Sequence, residues 1–188
     1  MKNALIAAAS LAAIAAAVPA VSQAQTAAPA DNTGVYMNFG YAHADAKGAP
    51  VDVNFEVLQG RLGYRLNNYF GVEGELGAGI QGHGTNIFDA AGNEARVKLR
   101  YEAAAYGVGF LPIGPDTDLL ARIGYGTSRI KVTNFPGVSD NKESVNFGVG
   151  AQHRFDGVNG IRVDFTRFDF NHSGGHSDVY GVAYTRKF

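Results

Sequence analysis

Residues 59–80 read QGRLGYRLNNYFGVEGELGAGI, two alternating runs joined across Asn67–Tyr69. In the first run Gln59, Arg61, Gly63 and Arg65 share one face, and Leu58, Leu62, Tyr64 and Leu66 share the other. In the second, Gly71, Glu73, Glu75, Gly77 and Gly79 oppose Phe70, Val72, Leu76, Ala78 and Ile80. A period of two marks a β-strand with two unlike faces. If Asn67–Tyr69 is a three-residue turn, position i pairs with 136 − i. Arg61 then lies opposite Glu75, and Arg65 lies opposite Gly71, diagonal to Glu73. Same-face neighbours at these spacings interact. Such a hairpin suits a soluble barrel with an apolar core, or a membrane barrel with the apolar face turned outward.

The same alternation recurs along the chain. Gly34–Ala44 sets Val35, Met37, Phe39 and Tyr41 against Tyr36, Asn38, Gly40 and Ala42. Ala95–Leu111 sets Val97, Leu99, Tyr101, Ala103 and Ala105 against Arg96, Lys98, Arg100 and Glu102. Leu119–Lys131, Ser144–Phe155, Ile161–Phe170 and Asp178–Phe188 complete eight segments. Short connections fall at Asn67–Tyr69, Pro112–Asp118 and Asp156–Gly160. Longer polar ones fall at Asp45–Asp52, Gln81–Glu94, Val132–Glu143 and Asn171–Ser177. An even number of antiparallel strands with short turns at one end and long loops at the other is the plan of an outer-membrane barrel. Each segment is near the 9–11 residues that cross a bilayer at a tilt.

Glycine decides which face is inside. Gly34, Gly40, Gly63, Gly71, Gly77, Gly79, Gly124, Gly126, Gly148, Gly150 and Gly181 all lie on the charged face. A solvated strand surface gains nothing from glycine, which weakens strands. The crowded interior of an eight-stranded barrel does gain, because large side chains there need small neighbours. The polar face is therefore the lumen. Arg61, Arg65, Lys98, Arg100, Arg122, Arg154 and Arg162 are expected to share it with Glu73, Glu75, Glu102 and Asp164. Isolated buried charges are costly, so a satisfied ion network is the expected arrangement. The fold class is all-β: an eight-stranded antiparallel up-and-down transmembrane β-barrel with short periplasmic turns and longer extracellular loops.

Composition and the chain ends agree. Residues 1–24 read as a cleaved signal peptide: Lys2, an Ala-rich apolar run to Val18, Pro19, and Ser22-Gln23-Ala24 before the cut. Residues 25–32 form a short lead-in, and 33–188 form the barrel. No later apolar run approaches the ~18 residues of a spanning helix. The chain has no Cys, which excludes disulfides and thiolate metal sites, and a net charge of −1 gives no electrostatic case for nucleic acid.

The pieces GVYMNFGYAHA, GRLGYRLNNYFGVEGELG, LLARIGYGTSRI and GIRVDFTRFDF, with the terminal Phe188, resemble in this order the small eight-stranded outer-membrane β-barrels of Gram-negative bacteria. That family includes the opacity and adhesion proteins and the transmembrane domain of outer-membrane protein A. The resemblance covers residues 25–188. It implies insertion by the outer-membrane assembly machinery, which reads a last strand ending in an aromatic residue. Phe188, Tyr184, Val182 and Tyr180 match that signal, and Arg186 departs from it where an apolar residue is usual. The chain lacks the peptidoglycan-binding domain of outer-membrane protein A, so no wall-anchoring role is carried over.

Three functions follow as expectations. A monomeric barrel in contact with outer-membrane lipid and lipopolysaccharide would present its four loops to an extracellular ligand. A narrow channel would use the charged lumen. A lipid-modifying enzyme would use His172, His176 and Ser173, but a Gly-Gly loop holds no catalytic register. Two His without a third ligand make no metal site, and no cofactor is expected. His153 is expected to face lipid near the short turns, and His83 to lie in a loop.

Overall fold

A computed structural model describes residues 32–47, 53–84, 97–132, 139–171 and 175–188. The strands are β1 (Gly34–Lys47), β2 (Val53–Arg65), β3 (Phe70–Gly84), β4 (Val97–Pro112), β5 (Thr117–Val132), β6 (Ser139–Arg154), β7 (Asn159–Phe170) and β8 (His176–Lys187). Each pairs antiparallel with its sequence neighbours, and β1 pairs with β8, so the sheet closes as a barrel. Closure removes every sheet edge, which lipid requires because nothing there replaces a missing backbone hydrogen bond.

The quoted hairpin has the expected register: Arg61 faces Glu75 and Arg65 faces Gly71. Its turn is held by Asn67, whose Oδ1 accepts from the amides of Tyr69 and Phe70 at 2.8 and 2.9 Å. Asp156 repeats the device in the β6–β7 turn, accepting from the Val158 and Asn159 amides beside Gly157 at φ +77°. Such side-chain acceptors fix short turns without help from the rest of the fold. The Asn159 amides hold the Asp156 carboxyl below its usual range.

The strands run 12 to 16 residues, and all but β4 are longer than the sequence alternation marks. Most of the excess lies at the loop end, where residues 45–47, 81–84, 139–143 and 176–177, expected in loops, are strand; at the turn end 112, 117–118 and 159–160, expected in short connections, are strand as well. Ser139 pairs with Lys131, and Glu143 pairs with Thr127. The loop residues 48–52, 85–96, 133–138 and 172–174, with His172 and Ser173, lie outside the described residues.

Leu62, Leu76, Ile123 and Phe70 are more than 60% exposed, whereas Arg61, Glu75, Arg122 and Arg162 are 3% or less. The barrel is therefore apolar outside and charged inside. Tyr41, Tyr101, Tyr125 and Tyr180 ring the apolar band toward the loops, and Tyr64, Tyr69, Phe155, Tyr184 and Phe188 ring it toward the turns. These are the two aromatic girdles of a membrane barrel. His153 faces outward at the turn end, bonded to Thr117 and edge-on to Phe155.

Candidate functional site

The lumen is filled in three layers. The central layer holds Arg61, Arg122 and Arg162 against Glu75, Asp164 and Glu73. Arg61 Nε donates to Glu75 at 2.5 Å, and its two terminal nitrogens donate to Asp164 at 2.7 and 2.9 Å. Arg122 bridges the same two carboxylates at 2.8 and 3.2 Å. Arg162 donates to both oxygens of Glu73, at 2.5 and 3.3 Å, and the Tyr36 hydroxyl completes Glu73 at 2.8 Å. Tyr106 donates to Glu75 at 3.1 Å beneath the Arg122 guanidinium, which sits 4.4 Å above its ring. Three guanidiniums and three carboxylates thus balance, with bidentate geometry at two pairs. Charge-assisted bonds of this kind are the strong ones.

The turn-end layer centres on Asp118. It accepts from Arg65 at 2.8 and 3.0 Å, from Arg154 at 2.9 Å and from Gln152 at 3.2 Å. The sequence placed Arg65 diagonal to Glu73. It turns instead toward the short-turn end, where Asp118 and the Asn68 carbonyl receive it, and Glu73 goes to Arg162. Asp118 is not among the expected lumen residues because the alternation places it at the end of a short connection, whereas β5 begins at Thr117. Its signal was present, since it shares parity with Arg122.

Two further expectations are corrected. Arg100 is not in the lumen: the β4–β5 register shifts between Leu99 and Tyr101, and Arg100 is exposed. A bulge adds one residue to a strand and reverses the parity beyond it. Leu99, expected outside, is therefore buried inside the lumen. The side chain of Lys98 lies outside the described residues. Glu102 is in the lumen, where it accepts from Gln59 at 2.8 Å and forms no ion pair within 4 Å among the described residues. The remaining network residues, Arg61, Arg65, Glu73, Glu75, Arg122, Arg154, Arg162 and Asp164, are all buried inward.

The loop-end layer was not foreseen. Ala42, Ala44, Val53, Phe55, Val57, Leu99, Phe168 and Val179 form one buried apolar cluster, with Ala46, Ile130 and Phe170 packed against it. These side chains point into the lumen between the ion network and the outside. The sequence carried this too: Val53, Phe55 and Val57 share parity with Gln59 and Arg61. Equating apolar with lipid-facing hides these residues, and here they cap the barrel.

Between the turn ends and the cap, charged and apolar side chains fill the interior of a closed eight-stranded sheet, and the outer face is matched to lipid by two aromatic rings. The outer membrane protein β-barrel domain model matches residues 9–188. The chain belongs to that family. This outer-membrane barrel is similar in fold to solved structures of low sequence identity. The attachment invasion locus protein Ail of Yersinia pestis, solved with the heparin analogue sucrose octasulfate, is 18% identical with a TM-score of 0.60, covering 82% of this chain and 97% of Ail. Neisserial surface protein A is 16% identical with a TM-score of 0.62, covering 83% and 98%. OprG of Pseudomonas aeruginosa is 13% identical with a TM-score of 0.58, covering 83% and 96%. No curated protein matches the sequence.

The last strand places Tyr180, Val182 and Tyr184 outward, and Phe188, just beyond it, is exposed too, each by more than 40%. Arg186 is also outward and stacks over Phe188 at 5.7 Å. His176 is strand rather than loop, 3.9 Å from Asp178.

Proposed function

We propose that this outer-membrane barrel is a surface-interaction protein whose loops, not its lumen, do the recognising. The observation that carries the reading is the layered lumen: three guanidiniums paired with three carboxylates at its centre, capped toward the outside by packed apolar side chains. Eight-stranded barrels have interiors that side chains can fill, and a dry apolar layer opposes ion passage by dewetting. A rigid scaffold whose strands extend to connections at one end, the longest of them residues 85–96, suits binding by those connections. The likeness to Ail, a protein solved with a sulfated sugar, supports a polyanionic saccharide as the first ligand to try. The narrow-channel alternative would need the cap and the network to open together.

The experiment compares cells displaying the intact chain with cells in which residues 85–96 and 133–138 are replaced by short Gly-Ser turns. Adhesion to heparin-coated surfaces is expected to fall at least tenfold while surface levels hold. Unchanged adhesion would remove the loops from the account. The same cells test two linked parts of the proposal. The mass of the recovered barrel reports whether residues 1–24 are removed on export, and deletion of Phe188 is expected to lower the amount inserted by the assembly machinery. A mature protein still carrying residues 1–24, or full insertion without Phe188, would overturn the corresponding part.

A further inference from the structure

His43 on β1 faces outward at the loop end, one outward position beyond Tyr41 and directly opposite Tyr180 of β8. Its side chain is 40% exposed, so it exchanges protons with the outside medium. Nδ1 lies 2.9 Å from Glu56 Oε1 on β2, and Nε2 lies 3.1 Å from Asp45 Oδ1 on β1. An ionised carboxylate only accepts, and a neutral imidazole donates from one nitrogen. Bonding to both acids at once therefore calls for the imidazolium. Glu56 is fixed further by the Tyr41 hydroxyl, which donates to its other oxygen. From β8, Asp178 stands opposite Asp45 and adds a third carboxylate, with Arg167 at 3.4 Å and His176 at 3.9 Å. Lys47 follows on β1, opposite His176, and Asn54 faces Asp45 from β2.

This cluster lies directly behind the apolar cap. The ladder pairs Ala42 with Val57, His43 with Glu56 and Ala44 with Phe55. Ala42, Ala44, Phe55 and Val57 are 4% exposed or less, and all four belong to the cap. The other edge of β2 is irregular at the same level. Glu56 pairs there with Gln81 and Val57 with Gly79, which leaves Ile80 out of the ladder. A bulge of this kind disrupts the local hydrogen bonding. The His43–Glu56 tie thus braces β2 from the side on which its pairing is regular.

We propose that His43 is a proton-operated clasp, which ties β1 to β2 while charged and loosens the wall of the cap when it gives up its proton. A neutral ring keeps one N–H, so its other nitrogen meets a carboxylate lone pair to lone pair. Asp45 and Glu56 then face Asp178 across the β2–β1–β8 rim without the imidazolium among them. The clasped form holds one proton more than the loosened form, so rising pH favours loosening. Histidine is the side chain that makes this change near neutral pH. The clasp does not rest on what the loops bind.

The chain has no Trp, so Phe168→Trp places a single reporter in the cap. Acrylamide quenching of the refolded barrel in lipid vesicles is compared at about pH 5.5 and about pH 8.5, on either side of the ordinary histidine value. The heat-dependent gel shift confirms the folded barrel at both. Quenching is expected to rise at least threefold at the higher pH. Adding His43→Lys, which stays charged, is expected to keep it low at both. Adding His43→Gln, which is never charged, is expected to hold it high at both, and His176→Gln to leave the rise intact. No rise in the reporter barrel would overturn the proposal. So would a rise that survives both changes at His43, or one that vanishes with His176→Gln. If the tryptophan prevents folding, amide exchange of residues 53–58 is compared between the unmodified barrel and His43→Lys at each pH. Exchange at least threefold slower in the lysine variant is expected at the higher pH only, and an equal ratio at both would overturn the clasp.

Discussion

Glu75→Ala is expected to lower the stability of the barrel by about 3–5 kcal/mol, the cost of removing one partner from a buried ion pair. Glu75 has no exposed side-chain surface, and it receives Arg61, Arg122 and Tyr106. Without it, three guanidiniums face two carboxylates in a space that water does not reach. Asp164 already receives Arg61 and Arg122, and Arg162 Nε lies 3.4 Å from it. The measurement is urea unfolding in lipid vesicles, followed by the gel shift between folded and unfolded bands. A double change, Arg61→Leu with Glu75→Leu, is expected to cost much less than the two single changes summed, because residues in one network do not act additively. A single Glu75→Ala cost below 1 kcal/mol would mean that the network is hydrated and loosely held.

The second large effect is expected at Gly124. Gly124→Ala adds one methyl group, and that atom would sit 2.2 Å from the Ala105 carbonyl oxygen and 2.5 Å from the Tyr106 ring. Overpacking costs ~1–3 kcal/mol where neighbouring side chains can move. Here the obstacle includes the backbone of the adjacent strand, and the ring that would have to move is the one that donates to Glu75. The cost is expected to exceed that range and to abolish the folded band at moderate urea. Gly60→Ala is the control, expected within about 0.5 kcal/mol of the parent, as for surface changes that break no contact. Equal stability of the two variants would contradict the assignment of inner and outer faces.

The part of this barrel that alternation alone could specify is the turn-end half. Between Gln59 and Gly79 a short turn fixes the register, and the Arg61–Glu75 facing pair follows from counting. The inward glycines are legible because the lumen is crowded, and what crowds them is the next strand's backbone and side chains such as Tyr36 at Gly63, Glu102 at Gly77 and Tyr106 at Gly124. Closer to the loops, two rules compete with alternation. The bulge at Arg100 shifts parity without any residue that demands it, so Leu99 and Arg100 exchange faces relative to expectation. The cap of Val53, Phe55, Val57 and Phe168 breaks the equation of apolar with lipid-facing, although each residue stands on the inward parity of its own strand. Asp118 was lost to a boundary, since its strand begins at Thr117, one residue before it. Parity is a property of the strand and survives composition; assignment by residue type does not.

The sealed lumen is the claim on which the functional reading rests, and conductance of the refolded barrel in a planar lipid bilayer tests it most directly. With folding confirmed by the gel shift, the barrel is expected to be silent under applied voltage. Discrete current steps that disappear in Glu75→Gln or Arg61→Gln would contradict it and would place the function in the lumen.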